Sequence, residues 1–182
     1  LTVDANVSVS GAGSLTLLAD ADDDGFVDLV VANSSTALLS TVNGNILLEG
    51  EQLALGFFGV SDGVISSTGT GNITLTANRD GAPVPLLGGV SMNNVSSVTS
   101  GGAVTINGGL FAGLTSVTAV GDVSVTAIDQ VSVGGGGTVR STGGNVQVAA
   151  NSNGDGFGDL LTNNGSLIKS DLGSVTLSGA SV

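Results

Sequence analysis

One short word recurs along this chain and constrains its fold more than any other feature. It reads GSLTLLA from Gly13, GNILLEG from Gly44, GNITLTA from Gly71, GAVTING from Gly102, GDVSVTA from Gly121, GNVQVAA from Gly144 and GSVTLSG from Gly173. Successive starts lie 31, 27, 31, 19, 23 and 29 residues apart. Self-similarity at about 20–50 residues marks stacked repeats, because a single repeat cannot bury its apolar face alone. Three longer stretches, opening at Gly13, Gly71 and Gly144, begin and end on such a word.

Within each word apolar and hydroxyl residues alternate. Ile73 and Leu75, or Val123 and Val125, fall on one face, and Thr74 and Thr76, or Ser124 and Thr126, on the other, which is the period-2 signature of a half-buried strand. Further short strands read ALLSTV (37–42), GVISST (63–68), DQVSVG (129–134), GTVRST (137–142) and GSLIKS (165–170). No stretch carries a capped helical period. The expected fold is all-β, a parallel β-helix (solenoid) with coils of roughly 19–31 residues. Seven strands about 4.8 Å apart would make a rod about 30 Å long. The glycine before each strand is expected to turn a sharp corner at positive φ. Asn43, Asn45, Asn72, Asn145, Asn163 and Asn164 suit tight corners and stacked amide ladders. The competing fold is a β-sandwich or an array of Ig-like modules, whose strands have no reason to share a word.

Composition narrows the function. The chain is 41% hydrophobic, enough for a core, yet it has five Phe and no Trp or Tyr, so that core is built from Val, Leu, Ile and Ala. Three basic residues, Arg79, Arg140 and Lys169, against fifteen acidic ones give a net charge of −12. This excludes nucleic acid, which needs a basic face, and disfavours anionic membranes. Cysteine is absent, and no apolar run reaches the roughly 18 residues of a membrane-spanning helix. The chain opens as a strand, LTVDANVSVS, and is expected to be a segment of a longer chain. Residues 1–182 read as a single β-solenoid unit with loop insertions near 20–28, 76–84 and 151–159.

GNITLTA, GDVSVTAIDQVSVGGGGTVRSTGGNVQVAA and GSVTLSGASV resemble the repeats of filamentous haemagglutinin-type adhesins and other giant bacterial β-strand-repeat surface proteins. That resemblance implies a right-handed parallel β-helix, secretion, and a role in adhesion or cell-surface structure.

The acidic residues are not spread evenly. Five of fifteen fall within DADDDGFVD, residues 20–28, where each neighbouring pair about 5 Å apart in water repels by about 1 kcal/mol. Asp20, Asp22, Asp24, Gly25 and Asp28 spell D-x-D-x-D-G-x-x-D. Alternate side chains of such a loop, with the Phe26 carbonyl and a closing Asp28, supply the oxygen shell that Ca2+ takes. A complete EF-hand would place Glu at the twelfth position; Ala32 stands there. DADDDGFVDLVVAN is similar instead to the calcium loops of FG-GAP repeats, which join β-strands. NSNGDGFGDLL is a second copy, with Asn151, Asn153, Asp155, the Phe157 carbonyl and Asp159 at matching positions. Two amides replace carboxylates there, so its affinity should be lower. TANRDGAPV keeps only Asn78, Asp80 and Gly81 and is read as a lost site.

Catalysis finds little support. With no His and no Cys there is no Ser/His/Asp triad, thiol nucleophile or ordinary zinc site. Asp62, Asp122, Asp129 and Asp171 are scattered. A polysaccharide-active β-helix enzyme and an ice-binding β-helix are the alternatives. The column Thr16, Leu47, Thr74, Thr105, Ser124, Gln147 and Thr176 is interrupted for the latter. The leading expectation is a non-catalytic structural or adhesive segment of a large secreted or cell-surface bacterial protein, stabilised by Ca2+. Its expected partners are copies of itself or neighbouring repeats, assembling into a filament or surface layer, and host or matrix glycans or proteins.

Overall fold

The computed structural model describes residues 1–19, 29–31, 36–56, 62–77, 88–93 and 95–181. Among them every regular element is a strand, and no helix is long and apolar enough to cross a membrane. The strands group into seven successive units. The first holds β1 (Thr2–Val3), β2 (Val7–Val9) and β3 (Leu15–Leu18). The second holds β4 (Leu29–Val31), β5 (Ala37–Val42) and β6 (Ile46–Gly50). The third holds β7 (Leu53–Leu55), β8 (Gly63–Thr68) and β9 (Ile73–Ala77), and the fourth β10 (Gly89–Met92), β11 (Ser97–Ser100) and β12 (Val104–Asn107). In the next two units the first two strands merge, giving β13 (Phe111–Ala119) with β14 (Val123–Thr126), then β15 (Gln130–Ser141) with β16 (Val146–Ala149). The seventh holds β17 (Leu160–Thr162), β18 (Leu167–Ser170) and β19 (Val175–Ser178).

All pairings between these strands are parallel, and each strand pairs with its counterpart one unit on, in two sheets. The 7-stranded sheet runs β3-β6-β9-β12-β14-β16-β19 and forms a third row. The 12-stranded sheet contains the first and second rows, joined because β13 and β15 each serve both. DQVSVG and GTVRST, read as two strands, are therefore one continuous strand, with an irregular register opposite Leu114 and Ser116.

Register in the third row follows the recurring word. Leu15 lies beside Ile46, followed by Ile73, Val104, Val123, Val146 and Val175. Parity keeps every apolar side chain of that column on one side, since a one-residue slip would expose the whole set. Ile46, Leu48, Ile73, Leu75, Val104, Ile106, Val123, Val125, Val146 and Val148 are buried in a single core with Leu39, Ile65, Val98, Val117 and Val139 of the second row and Leu29, Leu53, Val90, Val131 and Leu160 of the first. Each such side chain contributes about 1.5–3 kcal/mol when fully buried.

The glycines that open the word act differently from the expectation of positive φ. None of Gly13, Gly44, Gly71, Gly102, Gly121, Gly144 or Gly173 has a left-handed backbone. Their need is steric: a Cβ on Gly44 would lie 1.8 Å from the Gly13 carbonyl oxygen, and one on Gly71 would lie 2.0 Å from that of Gly44. Successive units approach so closely at this corner that only hydrogen fits. The left-handed positions lie one or two residues earlier, at Gly11, Asn43 and Gly69, with φ of 73°, 62° and 75°.

Two polar spines hold the same corner. In the first, Asn45 Oδ1 accepts the Asn72 N–H at 2.9 Å, Asn72 Oδ1 that of Ala103 at 2.8 Å, Asp122 Oδ1 that of Asn145 at 2.7 Å, and Asn145 Oδ1 that of Ser174 at 3.0 Å. The expected amide ladder thus involves Asn45, Asn72 and Asn145, whereas the Asn163 carbonyl accepts from Ser166 N within a turn and the Asn164 carbonyl from Gly136 N of the preceding unit. In the second, the hydroxyls of Ser67, Ser100, Ser141 and Ser170 donate to the carbonyls of Gly44, Gly71, Gly121 and Gly144 at 2.6–2.9 Å, each reaching into the preceding unit.

A candidate metal-binding loop at one corner of the repeat

All three acidic or amide-rich loop sequences fall at the same place in the topology, between a third-row strand and the first-row strand of the next unit. Residues 20–28 lie between β3 and β4, 78–87 between β9 and β10, and 151–159 between β16 and β17. Asp20, Asp22, Asp24, Phe26 and Asp28, like Asn78 and Asp80, lie outside the described residues. The flanks of the first loop are fixed: the Ala19 N–H bonds to Glu49 O and the Leu29 N–H to Gln52 O, both at 2.9 Å. Glu51, on that same stretch, is 4% exposed.

The second loop is described throughout. Asn151 is left-handed at φ 57°, and its carbonyl accepts the Gly154 N–H at 3.1 Å, while Ser152 N–H reaches back to Ala127 O at 3.0 Å. Side-chain oxygens then fold onto the loop's own backbone. Asn151 Oδ1 accepts from Gly156 N at 3.3 Å, Asn153 Oδ1 from Asp155 N at 3.3 Å, and Asp155 Oδ1 from Phe157 N at 2.9 Å. The i to i+2 bonds are Asx turns, the reason Asn and Asp compete well for such positions. Gly154, Gly156 and Gly158 have φ of 72°, 88° and 132°, and a Cβ on Gly158 would lie 2.3 Å from Asp129 O. Gly158 is therefore fixed by both its backbone and the unit beneath.

Asn151, Asn153 and Asp155 are thus gathered around one tight turn, and Asp159 sits at its exit. Asp159 Oδ1 accepts from Ser181 Oγ at 2.6 Å, and its carbonyl accepts from Val131 N at 3.1 Å. Phe157 is 74% exposed. Asn153 Nδ2 donates to Asp155 Oδ2 at 2.8 Å, a bond that a cation bound between positions three and five would replace. The donor set is entirely oxygen, which fits a hard cation such as Ca2+. No group of three or more acidic side chains gathers in metal-holding geometry among the described residues; this loop has two carboxylates.

The described basic residues lie elsewhere, at the far end of the second row. Arg140 and Lys169 are adjacent in register, and Asp171 takes both, with Arg140 Nε donating to its Oδ2 at 3.1 Å and Lys169 Nζ lying 2.8 Å from its Oδ1. The Arg140 hydrogen bond and then that of Lys169 lower the Asp171 carboxyl to about 2.

Sequence reasoning missed this triad and the buried hydroxyl spine. The spine was visible in principle: aligning ALLSTV, GVISST and GTVRST puts Thr41, Ser67 and Ser141 at the same fifth position. Compared with known proteins, the chain matches no family model, no curated protein and no solved structure.

Proposed function

We propose that this chain is a non-catalytic structural or adhesive segment of a secreted or cell-surface protein, a right-handed parallel β-helix whose coils are stiffened by Ca2+. One observation carries the reading: the D-x-D-x-D-G sequence and its echo occupy the same corner of the repeat, between units whose strand register runs on regardless. Loops that enlarge one corner while both neighbouring rows stay paired are insertions suited to a local crosslink. Asp20, Asp22, Asp24, Asp28 and the Phe26 carbonyl form the stronger site, and Asn151, Asn153, Asp155, Asp159 and the Phe157 carbonyl the weaker. Stacking of further copies or repeats on the outer strands extends the same pairing into a filament or layer.

Calcium that binds the folded loops and not the unfolded chain adds RT ln(1 + [Ca]/Kd), about 2.7 kcal/mol at a hundredfold excess over Kd. Melting with Ca2+ and with EGTA tests this. A higher melting temperature in Ca2+ is expected, and identical curves would remove the metal from the proposal.

A further inference from the structure

Asparagine followed by glycine is prone to cyclise, because glycine puts no side chain in the way of its own nitrogen. The chain has four such pairs, Asn43–Gly44, Asn107–Gly108, Asn153–Gly154 and Asn164–Gly165, and the fold treats them differently. Gly44 is buried in the tight corner between Gly13 and Gly71, and the Asn43 amide oxygen lies against Gly69. Gly108 is buried and its N–H donates to Thr126 O at 2.8 Å, while Asn107 Oδ1 accepts from Thr126 Oγ1 at 3.2 Å. The Gly154 N–H donates to Asn151 O at 3.1 Å, and both amide atoms of Asn153 bond to Asp155. Asn164 and Gly165 are both exposed, at the tip of a turn closed by the Ser166 N–H on Asn163 O at 3.0 Å. Neither the Asn164 side chain nor the Gly165 N–H has a hydrogen bond among the described residues. A Cβ on Gly165 would have its nearest neighbour 3.7 Å away, so the space around this glycine is open.

We propose that Asn164 is a site of spontaneous covalent modification, in which the Gly165 nitrogen closes on the Asn164 side chain. The nitrogen loses its proton and bonds to Cγ, the Cγ–Nδ2 bond breaks, and ammonia leaves with a proton taken from solvent. Water then opens the five-membered imide. Attack at Cγ leaves an aspartyl residue on the original main chain, and attack at the main-chain carbonyl leaves an isoaspartyl link; no electrons are exchanged at either step. Closure needs a free N–H on the glycine and rotation of the main chain at the asparagine. Where that N–H is bonded or the glycine is packed, the reaction waits on local opening of the fold. The Asn164 pair has only to release the Gly136 N–H from the Asn164 carbonyl, at 3.3 Å a long bond. Both products add a carboxylate to this corner. In the isoaspartyl form the carbonyl that met Gly136 becomes part of a carboxylate beside the main chain, which loosens the last unit from the one before it. The inference stands apart from the calcium and adhesive readings.

The 182-residue chain is incubated in mildly alkaline buffer with EGTA, both folded and in urea, and sampled for peptide mass spectrometry, with enzymatic isoaspartyl methylation as a second readout. In urea the four pairs should react at similar rates. In the folded chain Asn164 should keep its urea rate to within about threefold, while Asn43, Asn107 and Asn153 slow by about tenfold or more. Asn164→Gln should remove the early isoaspartyl signal with melting unchanged, since glutamine must close a larger ring, and Asn153→Gln should leave that signal in place. Slowing of Asn164 to the level of the other three, faster reaction at Asn153, or an isoaspartyl signal that survives Asn164→Gln would each overturn the proposal.

Discussion

Asn72 Oδ1 accepts the backbone N–H of Ala103 at 2.8 Å, and there the amide spine stops. Ala103 has no oxygen to offer the next unit, and the spine resumes only at Asp122. Replacing Ala103 with Asn should place an acceptor beneath the Asp122 N–H. An added intramolecular hydrogen bond is worth about 0.5–1.5 kcal/mol. Ala103→Asn is expected to raise the unfolding free energy measured by urea denaturation by that amount, while Asn72→Ala lowers it by about 1 kcal/mol.

The opening glycines should be intolerant of a methyl group. In Gly71→Ala the new Cβ would meet the Gly44 carbonyl oxygen and the Ser67 hydroxyl at 2.0 and 2.2 Å. Overpacking against backbone should cost about 3 kcal/mol or more. Gly136, at φ 74° with open space around it, meets only backbone strain, so Gly136→Ala should cost about 1–2 kcal/mol. Chemical denaturation of the pair distinguishes close approach from left-handed conformation.

Ser141 is fully buried, donating to Gly121 O at 2.6 Å and accepting the Gly144 N–H at 2.8 Å. Ser141→Ala leaves both backbone groups without this partner and should cost about 1–3 kcal/mol. Hydrogen exchange at the Gly144 amide should speed up in the variant if the hydroxyl protects it.

Acid should weaken the last two units through Asp171. Its folded value, about 2, lies below the ordinary carboxyl value of 3.8 because Arg140 and Lys169 hold the carboxylate. A lowered folded value means stability that is present above about pH 4 and lost as pH falls through about 2. Asp171→Asn should flatten this part of the pH–stability profile and leave neutral-pH calcium dependence unchanged. An unaltered profile in the variant would assign the acid sensitivity to other carboxylates.

In the weaker loop, the Asp155 carboxylate accepts from both Phe157 N and Asn153 Nδ2. Asp155→Asn should lower the number of calcium ions bound per chain, measured by isothermal titration, from two to one. A count unchanged at two would place the second ion elsewhere.

The recurring word was enough to place the third row, because Leu15, Ile46, Ile73, Val104, Val123, Val146 and Val175 carry period 2 and begin at matching offsets from a glycine. The second row was legible only as separate strands. Its words vary in their apolar residues, and nothing local says that Ser66 stands beside Thr99 and Thr118. The loops were legible as chemistry, since clustered Asp, Asn and Gly declare their backbone and charge preferences, but their shared corner required knowing which strands they join.

By itself the sequence determined the alternation, the strand-rich character and the grouping of acidic and amide residues, because these depend on side-chain type and on spacing within a few residues. Tertiary structure alone decided why the opening glycines are glycine and which serines are buried. Those properties arise between residues 19 to 33 positions apart, through carbonyls and Cβ positions of neighbouring units, and such distances are set only when the units are stacked.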